Sequence, residues 1–308
     1  EIPKFDMSFA DFKSVEGGEL LETLQDCYDR YGRDETIIIT RSNKRANRYN
    51  EGVRRYNLSA EEEIESGDML MVVKNNYHYT ERIEGCPVSF IANGDIARLK
   101  KIRRFEELYG FNFADAVLEF ADYGDMELEC KILLDTISSE SPSLTREQSQ
   151  QLFFEVEKDY LDIKSKIKRF KEIRENPHFN AMQVKFASAV TCPKAQGGQW
   201  KAVFVDRCLF GDEEMSKDML RWLYTAITRA TERVYLVNFD ERFFDDSVLD
   251  VKRKLAGSLL RSTPTYAVRI AGDVLDLFGL NPLTLFRDRG GTVVAALHER
   301  ALMLDLSR

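Results

Sequence analysis

The sequence predicts an α/β chain, and three kinds of stretch carry that prediction. Apolar, β-branched runs at Thr36–Thr40 and at residues 202–205 and 234–237 read as buried strands. Residues 18–31 repeat apolar side chains every three or four positions, the period of an amphipathic helix. From residue 62 to about residue 135 the pattern changes to short strand-like runs at regular spacing, which argues for a small antiparallel barrel. With 308 residues, 44% hydrophobic and 31% charged, the chain is long enough for two domains and has the balance of a soluble globular protein. No apolar run approaches the length of a membrane span.

A net charge of −8 speaks against a broadly basic, nucleic-acid-binding protein. Net charge governs solubility, however, whereas holding one strand in a cleft needs only a local basic track. The five cysteines, Cys27, Cys86, Cys130, Cys192 and Cys208, are scattered and lack C-x-x-C spacing. That usage predicts reduced thiols in a cytoplasmic protein, and no metal centre. There is no leader of the secretory kind, and the chain opens on Glu1 rather than Met, so an upstream part is expected. A G-x-x-x-x-G-K-[ST] phosphate loop is absent from the 308 residues.

Taken in order, the first helix places Leu20, Leu21, Leu24, Cys27 and Tyr28 on one side and ends at Tyr31-Gly32. After Thr36–Thr40 comes Arg41, with Ser42 or Asn43 as the N-cap of a helix running to about Tyr56. A strand, a polar turn and a helix N-terminus form an anion-friendly end; a solvated basic helix start has the same composition. In the barrel stretch, residues 68–73, 117–120 and 126–134 read as strands, with turns at Asn75-Asn76 and Gly94-Asp95. Tyr77, His78 and Tyr79 read as an exposed aromatic strand. Residues 145–175 read as one helix, with Leu152, Phe153, Val156, Tyr160, Ile163, Ile167 and Phe170 on one face and Lys158, Lys164, Lys166, Lys168 and Arg169 on the other. Thr145 and Gln148 supply a capping box, and Asn176-Pro177 ends the helix. The lysine face either follows phosphates or is simply solvated.

Between apolar runs at 186–190 and 202–205 lies Thr191-Cys192-Pro193-Lys194-Ala195-Gln196-Gly197-Gly198-Gln199-Trp200. Adjacent glycines let backbone N–H groups approach an anion, and Lys194, Gln196 and Gln199 add donors. A plain hairpin turn can carry the same two glycines. Some twenty residues on comes Arg221-Trp222-Leu223-Tyr224-Thr225-Ala226-Ile227-Thr228-Arg229-Ala230, in which Trp222 to Thr228 begins a helix whose far end carries Arg229, with a strand at 234–237 behind it.

As an ordered pair, these two stretches resemble motifs V and VI of superfamily-one helicases of the UvrD/RecD type, which read T-V-H-K-S-Q-G-x-E-F and Y-T-A-I-T-R-A. The segment around Arg41 resembles motif IV. G-D-x-L-M-V-x-x-N from Gly67 and F-x-x-N-G-D-I from Phe90 look like the SH3-like β-barrel inserted in RecD-like helicases. The resemblance implies a RecA-like second motor domain with a parallel sheet, made from residues 1–60 and 180–245. It is interrupted by the barrel insertion (61–140) and a helical arm (141–179). Residues 246–308, which read as apolar helices or strands around Asn281-Pro282 and Gly290-Gly291, receive no role.

For the site, the resemblance implies ATP contacts at Arg41, Gly197, Gln199 and Arg229, with Arg229 the catalytic arginine finger, and DNA contacts at Thr191 and Lys194. It further implies ATP and Mg2+ as cofactors of the complete protein, neither held tightly by this chain alone. The partners it implies are single-stranded or duplex DNA, an upstream RecA-like domain, and recombination or nuclease subunits, with no membrane; movement would run 5′ to 3′. Pro193 stands where the family has His, Ala195 where it has Ser, and Gln199 where it has Glu. Pro193 removes one backbone donor, which leaves open a second reading: a non-catalytic DNA-binding or protein-docking module of helicase ancestry.

Overall fold

The structure, a computed structural model, describes residues 3–7, 9–207, 216–240 and 243–244, together with the backbone of four strands between 265 and 305. Along the chain run β1 (Lys4–Phe5), β2 (Phe12–Val15), α1 (Leu20–Tyr31), β3 (Thr36–Thr40), α2 (Asn43–Gly52), β4 (Met69–Val72), β5 (Ile96–Leu108), β6 (Phe111–Phe120) and β7 (Met126–Leu133). They are followed by α3 (Arg146–Lys158), α4 (Lys166–Glu175), β8 (Met182–Phe186), β9 (Ala189–Thr191), β10 (Trp200–Asp206), α5 (Lys217–Ile227), β11 (Ala230–Val237), β12 (Thr265–Arg269), β13 (Leu285–Arg287), β14 (Thr292–Leu297) and β15 (Arg300–Asp305). Two compact units result, one from Glu1–Arg41 with Val190–Arg308 and one from Ser42–Ala189.

The first unit is built on a sheet of order β2-β11-β10-β3-β9. β10 runs parallel to both β3 and β11, and β11 runs parallel to β2. Every residue of β3 is buried, which is why the strand reads as an unbroken Thr-Ile-Ile-Ile-Thr run and not as an alternation. Ile37, Ile38 and Ile39 are buried in the core, as are Val203, Phe204, Val205, Val234 and Leu236. α1 lies against β3 and β10 and buries Leu20, Leu24, Cys27 and Tyr28, the stripe expected from its period. α5 packs on β10 and β11. Ser216 caps it by accepting from the Met219 amide, so the helix starts five residues before the expected Trp222. A second sheet has the order β1-β12-β15-β14-β13. Where residues 246–308 are described they are therefore strands; 270–284, including Asn281-Pro282, and the pair Gly290-Gly291 lie outside the described residues, as does Cys208.

The second unit is a closed barrel of β4, β5, β6, β7 and β8, antiparallel except for the parallel β7–β8 pairing. Leu70, Val72, Leu99, Leu118, Ile132 and Val184 fill its interior. The expected strand at 117–120 is only the end of the ten-residue β6. Its thirteen-residue partner β5 carries Lys100, Lys101, Arg103, Arg104, Glu106 and Glu107, and that charge hid it from an apolar-run reading. Tyr109 and Gly110, both at positive φ, turn the hairpin. A second correction concerns closure: β8, expected in the sheet domain, completes the barrel. The run at 186–190 is not one strand but the end of β8 and the start of β9. Asn50 manages the break, donating to the Ala189 carbonyl at 2.8 Å and accepting from its amide at 2.8 Å.

The arm is two helices and not one. Asp159 ends α3, and Ser165 caps α4 by accepting from the Lys168 amide. Side chains that bond the backbone locally interrupt a pattern whose period alone would continue. Of the expected stripe only Leu152 and Val156 are buried, while Ile167 and Phe170 are exposed; the buried apolar residue of α4 is Ile173, which the stripe did not include. The capping box forms as read, with Thr145 and Gln148 bonding reciprocally. His78, expected on an exposed strand, is buried with Tyr79, while Tyr77 is exposed.

Candidate functional site: a glycine loop and an arginine at one edge of the parallel sheet

The ten-residue loop from Thr191 to Trp200 starts beside the end of β3. The Cys192 amide donates to the Thr40 carbonyl at 3.0 Å, and the Thr40 hydroxyl donates to the Val190 carbonyl at 3.3 Å. A tight helical turn follows, in which the Lys194 and Ala195 amides both donate to the Thr191 carbonyl. Cys192 and Ala195 anchor the turn in the core, leaving Thr191 and Lys194 half-buried and Pro193 exposed. Burial lowers the Lys194 pKa, and burial pushes the Cys192 thiol up to about 12, so this cysteine is a packing residue and not a nucleophile.

The loop then crosses to the amino-terminal end of β10, and both glycines are required there for different reasons. Gly197 has φ +91°, a conformation that L side chains rarely adopt. A Cβ on Gly198 would lie 2.4 Å from the ring of Trp200, which is itself buried. Gly197 and Gln199 are exposed at this bend.

Arg229 follows Thr228, the C-cap of α5, and precedes Ala230 at the start of β11. Two bonds join it to the loop: the Trp200 amide donates to its carbonyl at 2.9 Å, and its Nη1 donates to the Gly198 carbonyl at 3.3 Å. Its Nε donates to the Thr225 carbonyl and its Nη2 to the Thr228 hydroxyl, at 3.2 and 3.3 Å. A guanidinium has five N–H donors. The three bonds therefore hold the plane and leave donors for an incoming anion.

The structure thus brings Gly197, Gln199 and Arg229 together at one edge and Thr191 and Lys194 at the other end of the same loop. It does not bring Arg41 to Arg229. In the parallel register Ala202 pairs with Thr36 and Trp200 with Ala230, so Arg229 lies at the amino-terminal edge. Arg41 follows Thr40 at the carboxyl-terminal edge, about 16 Å of strand away. Arg41 belongs with Thr191 instead. Sequence reasoning singled out the glycine pair, and with it Gly198, but passed over Thr225 and Thr228, which position the arginine, and the packing of Trp200 on Gly198; the only signal for these was their place inside the two motifs. Among the described residues no group of three or more His, Cys, Asp or Glu could hold a metal ion. No helix among them is long and apolar enough to cross a membrane.

Residues 186–237 match the family of UvrD-like helicase C-terminal domains, a span that contains the loop, α5 and Arg229. The resemblance read from the two motifs is thereby supported. No curated protein matches the chain. Among solved structures, the chain is similar to Pif1 helicase from Candida albicans, with 10% identity, TM-score 0.34, and coverage of 72% of this chain and 50% of that one. It is also similar to Pif1 helicase from Bacteroides in complex with ADP-AlF3 and ssDNA, with 9% identity, TM-score 0.35, and coverage of 78% and 54%. The chain spans about half the length of these two helicases.

Proposed function

We propose that this chain is the C-terminal part of an ATP-dependent DNA helicase of RecD-like type, in which the parallel sheet is the second, RecA-like motor domain and the barrel is SH3-like. The observation that carries the reading is the guanidinium of Arg229 fixed on the Gly198 carbonyl. A planar fork held by its own backbone can present its remaining N–H groups to phosphoryl oxygens without reorganising. Gly197 and Gln199 beside it offer a close backbone approach and an amide, which suits a nucleotide. Bound ATP supplies the phosphoryl transfer to water; Arg229 neutralises charge where it develops. Thr191, Lys194 and Arg41, at the other sheet edge, suit the DNA backbone.

The loop joins the two edges in ten residues, so a shift at Gly198 is transmitted to Thr191, which is what coupling hydrolysis to movement needs. The donors of Mg2+ and the phosphate loop belong to the upstream domain in this reading, and the chain alone is expected to show negligible hydrolysis. The test joins the chain to its upstream domain and measures DNA-stimulated phosphate release. Arg229→Ala should lower turnover about a thousandfold while DNA binding is kept. Equal turnover in the variant would defeat the reading and favour a docking module, and robust turnover by the chain alone would defeat the division of the hydrolytic site between this chain and an upstream domain.

A further inference from the structure

The second unit contains a cleft that the motor reading does not use. It has a volume of about 450 Å³ and lies between residues 74–81, ahead of the barrel hairpin, and residues 174–183, which link α4 to β8. That is room for one nucleoside and too little for a duplex.

Its chemistry is mixed in a specific way. Tyr77 is half exposed and its ring stacks on Phe90 at 4.9 Å, so the platform is ordered from behind before anything binds. Asn76 is more than nine-tenths buried on the floor. Its Nδ2 donates to the Asn180 carbonyl at 2.8 Å, which fixes the amide orientation, and its Oδ1 has no hydrogen-bond partner. His78, equally buried, has an unpartnered Nε2. Burial lowers the His78 pKa, with Arg82 acting in the same direction, so the ring is a neutral hydrogen-bonding group near pH 7. Lys74 and Arg174 stand exposed at the two walls with no ion pair among the described residues, whereas Glu175 is engaged by Arg82 at 3.1 Å.

We propose that this cleft takes one unstacked base of a single DNA strand, with Tyr77 as the stacking platform, Asn76 accepting from the base edge, and Lys74 and Arg174 on the flanking phosphates. An aromatic face, an orphan acceptor and two unpaired cations answer the three parts of a nucleotide. An extended peptide would use the amides but would leave both cations idle. The inference rests on the reading of the protein as a DNA-binding one, and adds a second contact on a different unit.

The test uses the full chain and a fluorescein-labelled oligodeoxynucleotide of about twelve residues, followed by anisotropy, with an iodouracil-containing version for cross-linking. Tyr77→Ala is expected to weaken binding about tenfold and Tyr77→Trp to keep it. Cross-links should fall on the peptide that contains Tyr77. Unchanged affinity of a folded Tyr77→Ala variant, with cross-links confined to residues 191–200, would overturn the cleft and leave the motor reading standing. Absence of DNA binding by the unaltered chain would overturn both, and unchanged affinity in both the Lys74→Ala and the Arg174→Ala variants would remove the cleft from the DNA path.

Discussion

Two charged constellations of this protein are built from similar residues and do opposite things. On the barrel, Lys131 is buried between Glu106 at 2.9 Å and Asp115 at 2.7 Å, and those carboxylates are engaged in turn by His178 at 2.8 Å and by Arg104. Each carboxylate in that network meets a lysine or arginine, and the network knits β5, β6 and β7 to the segment before β8. At the sheet edge Arg229 faces no carboxylate in any of its three bonds; it is held by two backbone carbonyls and one hydroxyl. A cation neutralised by acids is architecture, whereas a cation positioned by neutral acceptors keeps its charge for something that arrives. In the proposed reading the first kind of site contributes to stability and the second to function.

The contrast can be broken by substitution. The largest effect on stability is expected from Lys131→Met, which leaves two carboxylates facing each other in a partly buried place. It should cost about 3 kcal/mol in urea unfolding, whereas Arg229→Ala should cost much less. Comparable losses at the two sites would erase the distinction. Gly198→Ala should come next, at about 2 kcal/mol, because the new methyl group must displace the buried Trp200 ring. Tryptophan emission reports that displacement directly, and an unshifted spectrum would show that the bend does not depend on the ring.

The smallest effect sharpens the barrel side. Glu106 is held down to about 2 from 4.5, by the hydrogen bond from Lys131 first and that from His178 second. Its proton is bound more weakly in the folded chain than in the unfolded one. The stability it contributes is therefore present above about pH 4.5 and is lost as the pH falls toward 2. Glu106→Gln should flatten this acid limb and move the acid-unfolding midpoint by about half a pH unit. A midpoint and slope identical to those of the unaltered chain would show that the network is not coupled to folding.

How much of this could be read in advance differs element by element. Strands buried on both faces, such as β3, were legible because nothing polar can interrupt them. The helix α1 was legible because one stripe meets the sheet. β5 was not, since several of its charges are balanced by residues on β6 and β7 that lie far along the chain: Lys100 meets Glu119, and Arg103 meets Glu129. The break between α3 and α4 was hidden for another reason, as a local cap competes with a period that a linear reading favours. Motifs around Gly197 and Arg229 were visible by order and spacing, but the role of Trp200 in forcing Gly198 was not.

From its residues alone this chain determines three strands of the buried sheet, β3, β10 and β11, where two helices are capped, and that a double-glycine bend and an arginine follow one another in helicase order. Those are consequences of local chemistry: β-branching, a capping hydroxyl, a glycine that can take φ +91°. Tertiary structure alone decided that Arg229 touches Gly198 and that Arg41 does not share their edge. It decided as well that β8 closes the barrel and that Asn76 and His78 are buried under a cleft. The reason is that strand register and direction set which ends of distant segments coincide, and neither is written in the spacing of any one motif.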